Sequence, residues 1–144
     1  MMVVGTGGAA RAVLAAGRSL GCELYVLGRS EERTRRVADE FGGHAVKAAG
    51  AKPATLIVQA TSMGRDAAGP PDIDLLPWIG SGTYVLDMVY DPTDRYLREA
   101  TGARGGIYEG GYRLLVYQAM ESYRIWWGHA PSEAMVERAA SERS

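Results

Sequence analysis

Apolar residues fall along this chain in two alternating textures. Short, nearly unbroken apolar runs at 1–4, 23–27, 55–59 and 84–90 read as strands, the innermost of them buried on both faces. Between them lie longer stretches in which apolar positions recur every third or fourth residue, the signature of helices with one face on a core. The pattern predicts a helix over 9–20 and a second that Ser30 caps, with Glu31 and Glu32 in its first turn, running to Phe41 and ended by Gly42-Gly43. A short third strand is expected at 45–47. Residues 65–80, interrupted by Pro70, Pro71, Pro77, Gly69 and Gly80, form a loop with one helical turn at 73–79. Thr93 or Asp94 caps a helix through Ala100, stopped by Gly102, and a short strand follows at 106–108. A long amphipathic helix over 112–127 stops at Gly128, a last helix begins at Pro131 and covers 131–141, and the polar end 141–144 frays.

Strands alternating with helices imply an α/β fold, a doubly wound and mostly parallel sheet of the Rossmann-like kind, with 1–144 as a single domain. The apolar positions Tyr112, Leu115, Met120, Tyr123 and Trp126 of the long helix, at helical spacing, are assigned to its core.

The first strand runs directly into Gly5-Thr6-Gly7-Gly8-Ala9-Ala10-Arg11, the G-x-G-x-x-[GA] pattern. Gly5 permits the tight turn, Gly7 lets backbone approach a pyrophosphate, and Ala10 lets the helix pack on the sheet. The helix's first-turn N–H groups and the positive end of its dipole then face the phosphates. Dinucleotide folds that take NAD place an acidic residue at the end of the second strand. Here that corner reads Gly28-Arg29-Ser30-Glu31-Glu32-Arg33. Arg29 and Arg33 are either surface cations or a bracket for a 2′-phosphate, with Ser30 adding a hydroxyl. After this glycine pattern the second reading prevails, and the cofactor is NADP.

Composition narrows the partners. With 47% hydrophobic and 23% charged residues and a net charge of −1, the chain builds an ordinary core and shows no electrostatic footprint for nucleic acid or an anionic membrane. No apolar run approaches the roughly 20 residues a bilayer demands. The single cysteine, Cys22, forms no internal disulfide, which fits a reducing cytoplasm. His44 and His129 have no companions at metal-ligand spacing, so no metal site is assigned.

The segments, in their order, resemble the C-terminal, cofactor-binding half of the shikimate dehydrogenase family. Gly5 to Arg11 resembles that family's G-x-G-G-A-x-R loop, and Gly28-Arg29-Ser30 with Arg33 its N-R-T-x-x-R clamp. Gln59-Ala60-Thr61-Ser62-Met63-Gly64 resembles N-A-T-S-x-G, and 85–92 resembles V-x-D-x-x-Y-x-P. Leu114 to Ala119 resembles M-L-V-x-Q-A, and Trp127 to Pro131 resembles W-x-G-x-x-P. The resemblance implies that the loop holds the pyrophosphate and that Arg29, Ser30 and Arg33 hold the 2′-phosphate. It also implies that Ala60, Thr61, Ser62 and Met63 lie along the cofactor, with Met88 and Gly111 near the nicotinamide. Tyr90 and Gln118 are implied to meet the substrate, 3-dehydroshikimate or shikimate; Gln118 read alone is equally a solvated helix position. Asp87 is either a strand-end turn former or a site carboxylate.

There are departures. Gly28 and Gln59 replace the family's usual asparagines, Arg95-Tyr96 stands where Thr-Pro is common, and Arg113 replaces a glycine in the run that begins at Gly111. Arg113 would block the nicotinamide pocket or meet an acidic substrate. The family's catalytic lysine and aspartate lie upstream of the glycine loop, where this chain begins, and Lys47 and Lys52 have no route to the substrate cleft. No catalytic residue is therefore assigned, and the chain is expected to bind NADP(H) with little turnover alone. It is a shortened form of a longer enzyme or a native small module that complements a separate substrate domain; quinate or an aminated analogue is an alternative substrate. An apolar face without its partner domain would favour a homodimer.

Overall fold

In a computed structural model the chain is described at residues 1–47, 52–63, 73–90 and 96–141. Six strands form one sheet: β1 Met2–Val4, β2 Tyr25–Leu27, β3 His44–Ala45, β4 Leu56–Gln59, β5 Tyr84–Asp87 and β6 Ile107–Gly110. Their order is β3-β2-β1-β4-β5-β6, and every pair is parallel. Among the described residues the helices are α1 Gly8–Ser19, α2 Glu31–Phe41, α3 Tyr96–Ala103, α4 Tyr112–Trp127 and α5 Glu133–Ser141, with a 3-10 turn at Leu76–Trp78. The strand order reverses at β1 and β4. That switch point opens the crevice in which such sheets bind ligands, at the carboxyl ends of the strands.

The three residues of β1 show why this sheet is buried on both sides. Met2 and Val4 point into one core with Ile57, Trp78, Val85 and Leu97. Val3, on the opposite face, packs with Ala10 and Leu14 of α1 and Val37 of α2. All three β1 residues are fully buried, so the unbroken apolar run is what a central parallel strand requires.

Several boundaries differ from the expected ones. β3 starts one residue early, at His44, because pairing with β2 resumes as soon as Gly43 has passed Leu24; a Cβ at Gly43 would lie 2.8 Å from the Leu24 carbonyl oxygen. Val46 N–H still bonds the Val26 carbonyl at 2.9 Å. α5 begins at Glu133, two residues late, and Ser132 Oγ accepts the Met135 N–H at 3.4 Å as its cap. The expected caps Thr93 and Asp94, like Gly64 and Arg95, lie outside the described residues.

The stripe on α4 is the main correction. Of this helix only Val116 is buried. Tyr112, Leu115 and Trp126 are exposed at 39%, 42% and 72%, Met120 and Tyr123 half-buried. The stripe has the expected helical spacing, yet Val116 alone of the helix is buried, and α5 packs alongside.

Candidate functional site

The turn after β1 needs glycine at its first position for reasons of packing. Gly5 has φ of 119°, a region that disfavours side chains, and its N–H bonds the Leu27 carbonyl at 2.8 Å. A Cβ there would also lie 2.9 Å from the Ala60 carbonyl oxygen and 3.1 Å from Thr61 Cγ2. Gly7 and Gly8 are bare for no such reason. Gly7 has an ordinary φ of −83°, and a Cβ on either residue would meet nothing within 4 Å. Gly7 is the N-cap of α1, with no side-chain cap bond and no acidic residue in the first turn. The first-turn amides at Gly8 and Ala9 therefore present donors and a positive dipole end to open space. Ala10 is fully buried against the sheet. Thr6 is half-buried beside Gly28, and the Arg11 guanidinium turns away to pair with Glu40 of α2.

At the end of β2 the chain makes a cationic corner. Ser30 caps α2, its Oγ accepting the Arg33 N–H at 3.4 Å. A cavity of about 570 Å³ opens beside it, walled by Gly28, Arg29, Glu31, Arg35, Lys47 and Asp74 among others. Arg29 is in that wall and Arg33 is not. Arg35 and Lys47, which the sequence reading gave no part, stand there instead. Gly28 is fixed by its neighbours: a Cβ would sit 2.6 Å from Thr34 Oγ1, itself committed to the Ser30 carbonyl at 2.7 Å.

The carboxyl ends of β4 and β5 are locked together by buried polar groups. Gln59 Oε1 accepts from the Thr61 N–H at 2.6 Å and the Thr61 hydroxyl at 2.7 Å. Its Nε2 donates to the Met63 carbonyl at 3.0 Å, and Met63 N–H bonds Thr61 Oγ1 at 3.1 Å. The turn at Ala60, Thr61, Ser62 and Met63 is thus clamped from below, with Ser62 exposed. Asp87 is 3% exposed. Its Oδ1 accepts the Val89 N–H at 3.0 Å and its Oδ2 the Tyr108 hydroxyl at 3.1 Å. Burial pushes the Asp87 carboxyl above its ordinary value, and bonds from Val89, Tyr108 and Gln59 offset this only in part. Burial likewise raises the Tyr108 phenol, ahead of the nearby Asp87 charge. Asp87 is thus a buried acceptor that holds the turn after β5 and the Tyr108 hydroxyl.

Met88 N–H bonds the Gln59 carbonyl at 3.0 Å. Gly111 lets α4 start hard against this strand end, since a Cβ would lie 2.6 Å from the Met88 carbonyl oxygen. Tyr90, 62% exposed, and Gln118 face solvent. Arg113 points along α4 to α5, where its Nη2 is 3.3 Å from the Tyr117 hydroxyl and 3.2 Å from Glu133 Oε1. Those contacts, Tyr117 first, raise its already high pKa. His44 packs its ring on Tyr25 and His129 on Tyr123. Among the described residues no group of three or more His, Cys, Asp or Glu could hold a metal, and no helix is long and apolar enough to cross a membrane.

No protein-family model matches the chain. A shikimate dehydrogenase (NADP(+)) of Thermus thermophilus is 39% identical over 142 residues, covering 96% of this chain and 52% of that protein. The enzyme of the same name from Sulfolobus acidocaldarius is 38% identical over 140 residues, 93% of this chain and 49% of that protein. Among solved structures, a shikimate 5-dehydrogenase from Thermus thermophilus in complex with NADP(H) and shikimate superposes with a TM-score of 0.83 at 36% identity, over 98% of this chain and 54% of that one. The chain spans about half the length of the curated relatives it matches.

Proposed function

We propose that this chain, which belongs to the shikimate dehydrogenase family, is a single NADP(H)-binding domain over 1–144, the cofactor half of such an oxidoreductase. The observation that carries this reading is the pair Gly7 and Gly8. Neither packing nor backbone strain calls for glycine at these positions, and both open onto space in front of an uncapped helix start. A diphosphate approaching backbone amides is the ligand that rewards such bareness.

In this reading Gly5, Thr6, Gly7, Gly8, Ala9 and Ala10 hold the pyrophosphate, and Arg29, Ser30 and Arg33 the 2′-phosphate. Ala60 to Met63 line the cofactor's path, with Met88 and Gly111 at the nicotinamide end. When bound, the cofactor supplies hydride exchange. Reduction of a ketone also needs a proton carrier at the new hydroxyl. Among the described residues no lysine stands near Met88; Lys47 is engaged at the far edge of the sheet with Glu31. Turnover of 3-dehydroshikimate, or of a quinate-like analogue, therefore calls on a substrate domain, with Tyr90 and Gln118 facing it. The work is done in the cytoplasm, as part of aromatic amino acid biosynthesis.

A second reading makes the chain a non-catalytic module that completes a separate substrate-domain chain or pairs with its own copy. The exposed apolar side chains on α4, above all Ile125, Trp126 and Trp127, favour it.

The test is calorimetric titration with NADPH and NADH on the chain and on Arg29→Ala. The reading expects NADPH to bind much more tightly than NADH, and the variant to lose most of that preference. Absence of binding by either cofactor would overturn it.

A further inference from the structure

The cavity wall beside β2 holds a charge arrangement that the clamp residues do not explain. Glu31, the first residue of α2, takes Arg35 Nη2 on Oε1 at 2.9 Å, one turn along the helix. It takes Lys47 Nζ on Oε2, also at 2.9 Å, from just beyond β3. All three line the cavity together with Arg29. The pairs are solvent-exposed, a setting in which ion pairs add little to folding, so stability gives no reason for them.

Their effect on the cavity is larger. An unmasked carboxylate at this corner accepts a ribose 2′-hydroxyl and repels a 2′-phosphate. Glu31 stands at that corner, close to Arg29, and alone would favour the wrong dinucleotide. With Lys47 and Arg35 on its two oxygens, the described residues of the wall include three cations (Arg29, Arg35 and Lys47) and two carboxylates (Glu31 and Asp74). Asp74 is in turn engaged by the Leu76 N–H at 2.9 Å. Lys47, ahead of Arg35, holds the Glu31 carboxyl below its ordinary value.

We propose that Lys47, with Arg35, masks Glu31 and so sets the preference of this cavity for a 2′-phosphorylated over a 2′-hydroxyl dinucleotide. Lys47 acts through Glu31 and is a positioning residue. The proposal rests on the NADP(H) reading above and adds a determinant to it from a different strand.

The experiment is titration of NADPH and NADH against the chain, Lys47→Met and Glu31→Gln/Lys47→Met. Lys47 is 71% exposed, so its replacement leaves the fold intact, which a thermal melt checks. Lys47→Met is expected to weaken NADPH roughly tenfold, the size of one charge–charge interaction near a surface, and to leave NADH unchanged or tighter. The double variant is expected to regain most of the lost NADPH affinity, because the carboxylate is gone. Unchanged NADPH binding in Lys47→Met would overturn the proposal while the clamp reading stands. A double variant as weak as Lys47→Met would overturn it too, since Lys47 would then be touching the phosphate itself. Failure of the unmodified chain to bind either dinucleotide would overturn the proposal together with the reading beneath it.

Discussion

Gln59 and Asp87 stand opposite each other at the carboxyl ends of β4 and β5, with Gln59 Nε2 3.4 Å from Asp87 Oδ1. The contact joins the clamp on the Ala60–Met63 turn to the turn after β5, so one buried side chain shapes both loops at the switch point. Gln59→Leu keeps roughly the same volume and leaves the Thr61 amide and the Met63 carbonyl without partners. We expect a loss of about 2–4 kcal/mol of stability, read by denaturant unfolding. A loss below about 1 kcal/mol would show that the turn holds its shape unaided.

Asp87 gives a pH dependence of definite sign. Burial raises its folded-state pKa above the ordinary 3.8, so the folded state binds the proton more tightly than the unfolded one. Its contribution to stability is complete below pH 3.8 and is lost as pH rises through the higher folded value. Glu31 and Glu121, held low by Lys47 and by Arg124, act in the opposite direction. The measurement is therefore a difference: the stability of Asp87→Asn minus that of the unmodified chain, across pH 3 to 7. Asn keeps an acceptor for the Val89 amide, and the difference should rise with pH. A flat difference would place the Asp87 carboxyl at its ordinary value.

Much of this architecture was legible in the sequence because local pattern and tertiary role coincide. The apolar run at β1 is buried on both faces, and α4 begins at Tyr112 and ends at Trp127 before Gly128, whose φ is 76°. The glycine loop was legible for the same reason, since strand, turn and helix are contiguous. What was missed depends on residues brought together by pairing. Lys47 reaches Glu31 because β3 lies beside β2, and no local pattern signals that contact. The ion pair of Arg113 with Glu133 on the next helix is a contact of the same kind. The α4 stripe failed differently: periodicity reports that one side of a helix is apolar and is silent about what covers it.

Gly8 offers a substitution whose two effects point in opposite directions. It is the first residue of α1 and is glycine without a packing reason. Alanine is the better helix former, so Gly8→Ala is expected to raise stability by up to about 1 kcal/mol. The added methyl projects into the space before the uncapped amides, so NADPH affinity should fall. A gain in stability with unchanged NADPH affinity would remove the diphosphate from this position.

Gly28 tests why the chain departs from the family's asparagine. Its missing Cβ would press on Thr34 Oγ1 at 2.6 Å and on Thr6 Cγ2 at 3.2 Å. Thr34 is buried, so it has little room to yield. Gly28→Asn is expected to cost about 1–3 kcal/mol, and adding Thr34→Ala should recover much of it. Simple additivity of the two losses would mean that Thr34 is not the obstacle.

The last prediction concerns the uncovered end of α4. Ile125, Trp126 and Trp127 are exposed at 69%, 72% and 59%. Trp127 stacks on Tyr123 at 4.8 Å and meets Trp126 edge-on at 5.7 Å, so the rings form one connected apolar surface. Isolated exposed apolar residues are ordinary, but a contiguous aromatic surface favours association. The chain is therefore expected to sediment faster as its concentration rises. Trp126→Glu should abolish that dependence at an unchanged melting temperature, because a side chain so exposed contributes little to the fold. The variant's NADPH affinity should match that of the unmodified chain, since the glycine loop and cationic corner are built by β1, α1 and β2. If the unmodified chain stays monomeric at the highest attainable concentration, self-pairing is excluded. A separately expressed substrate domain is then the partner to mix with it, and Trp126→Glu should weaken that complex instead.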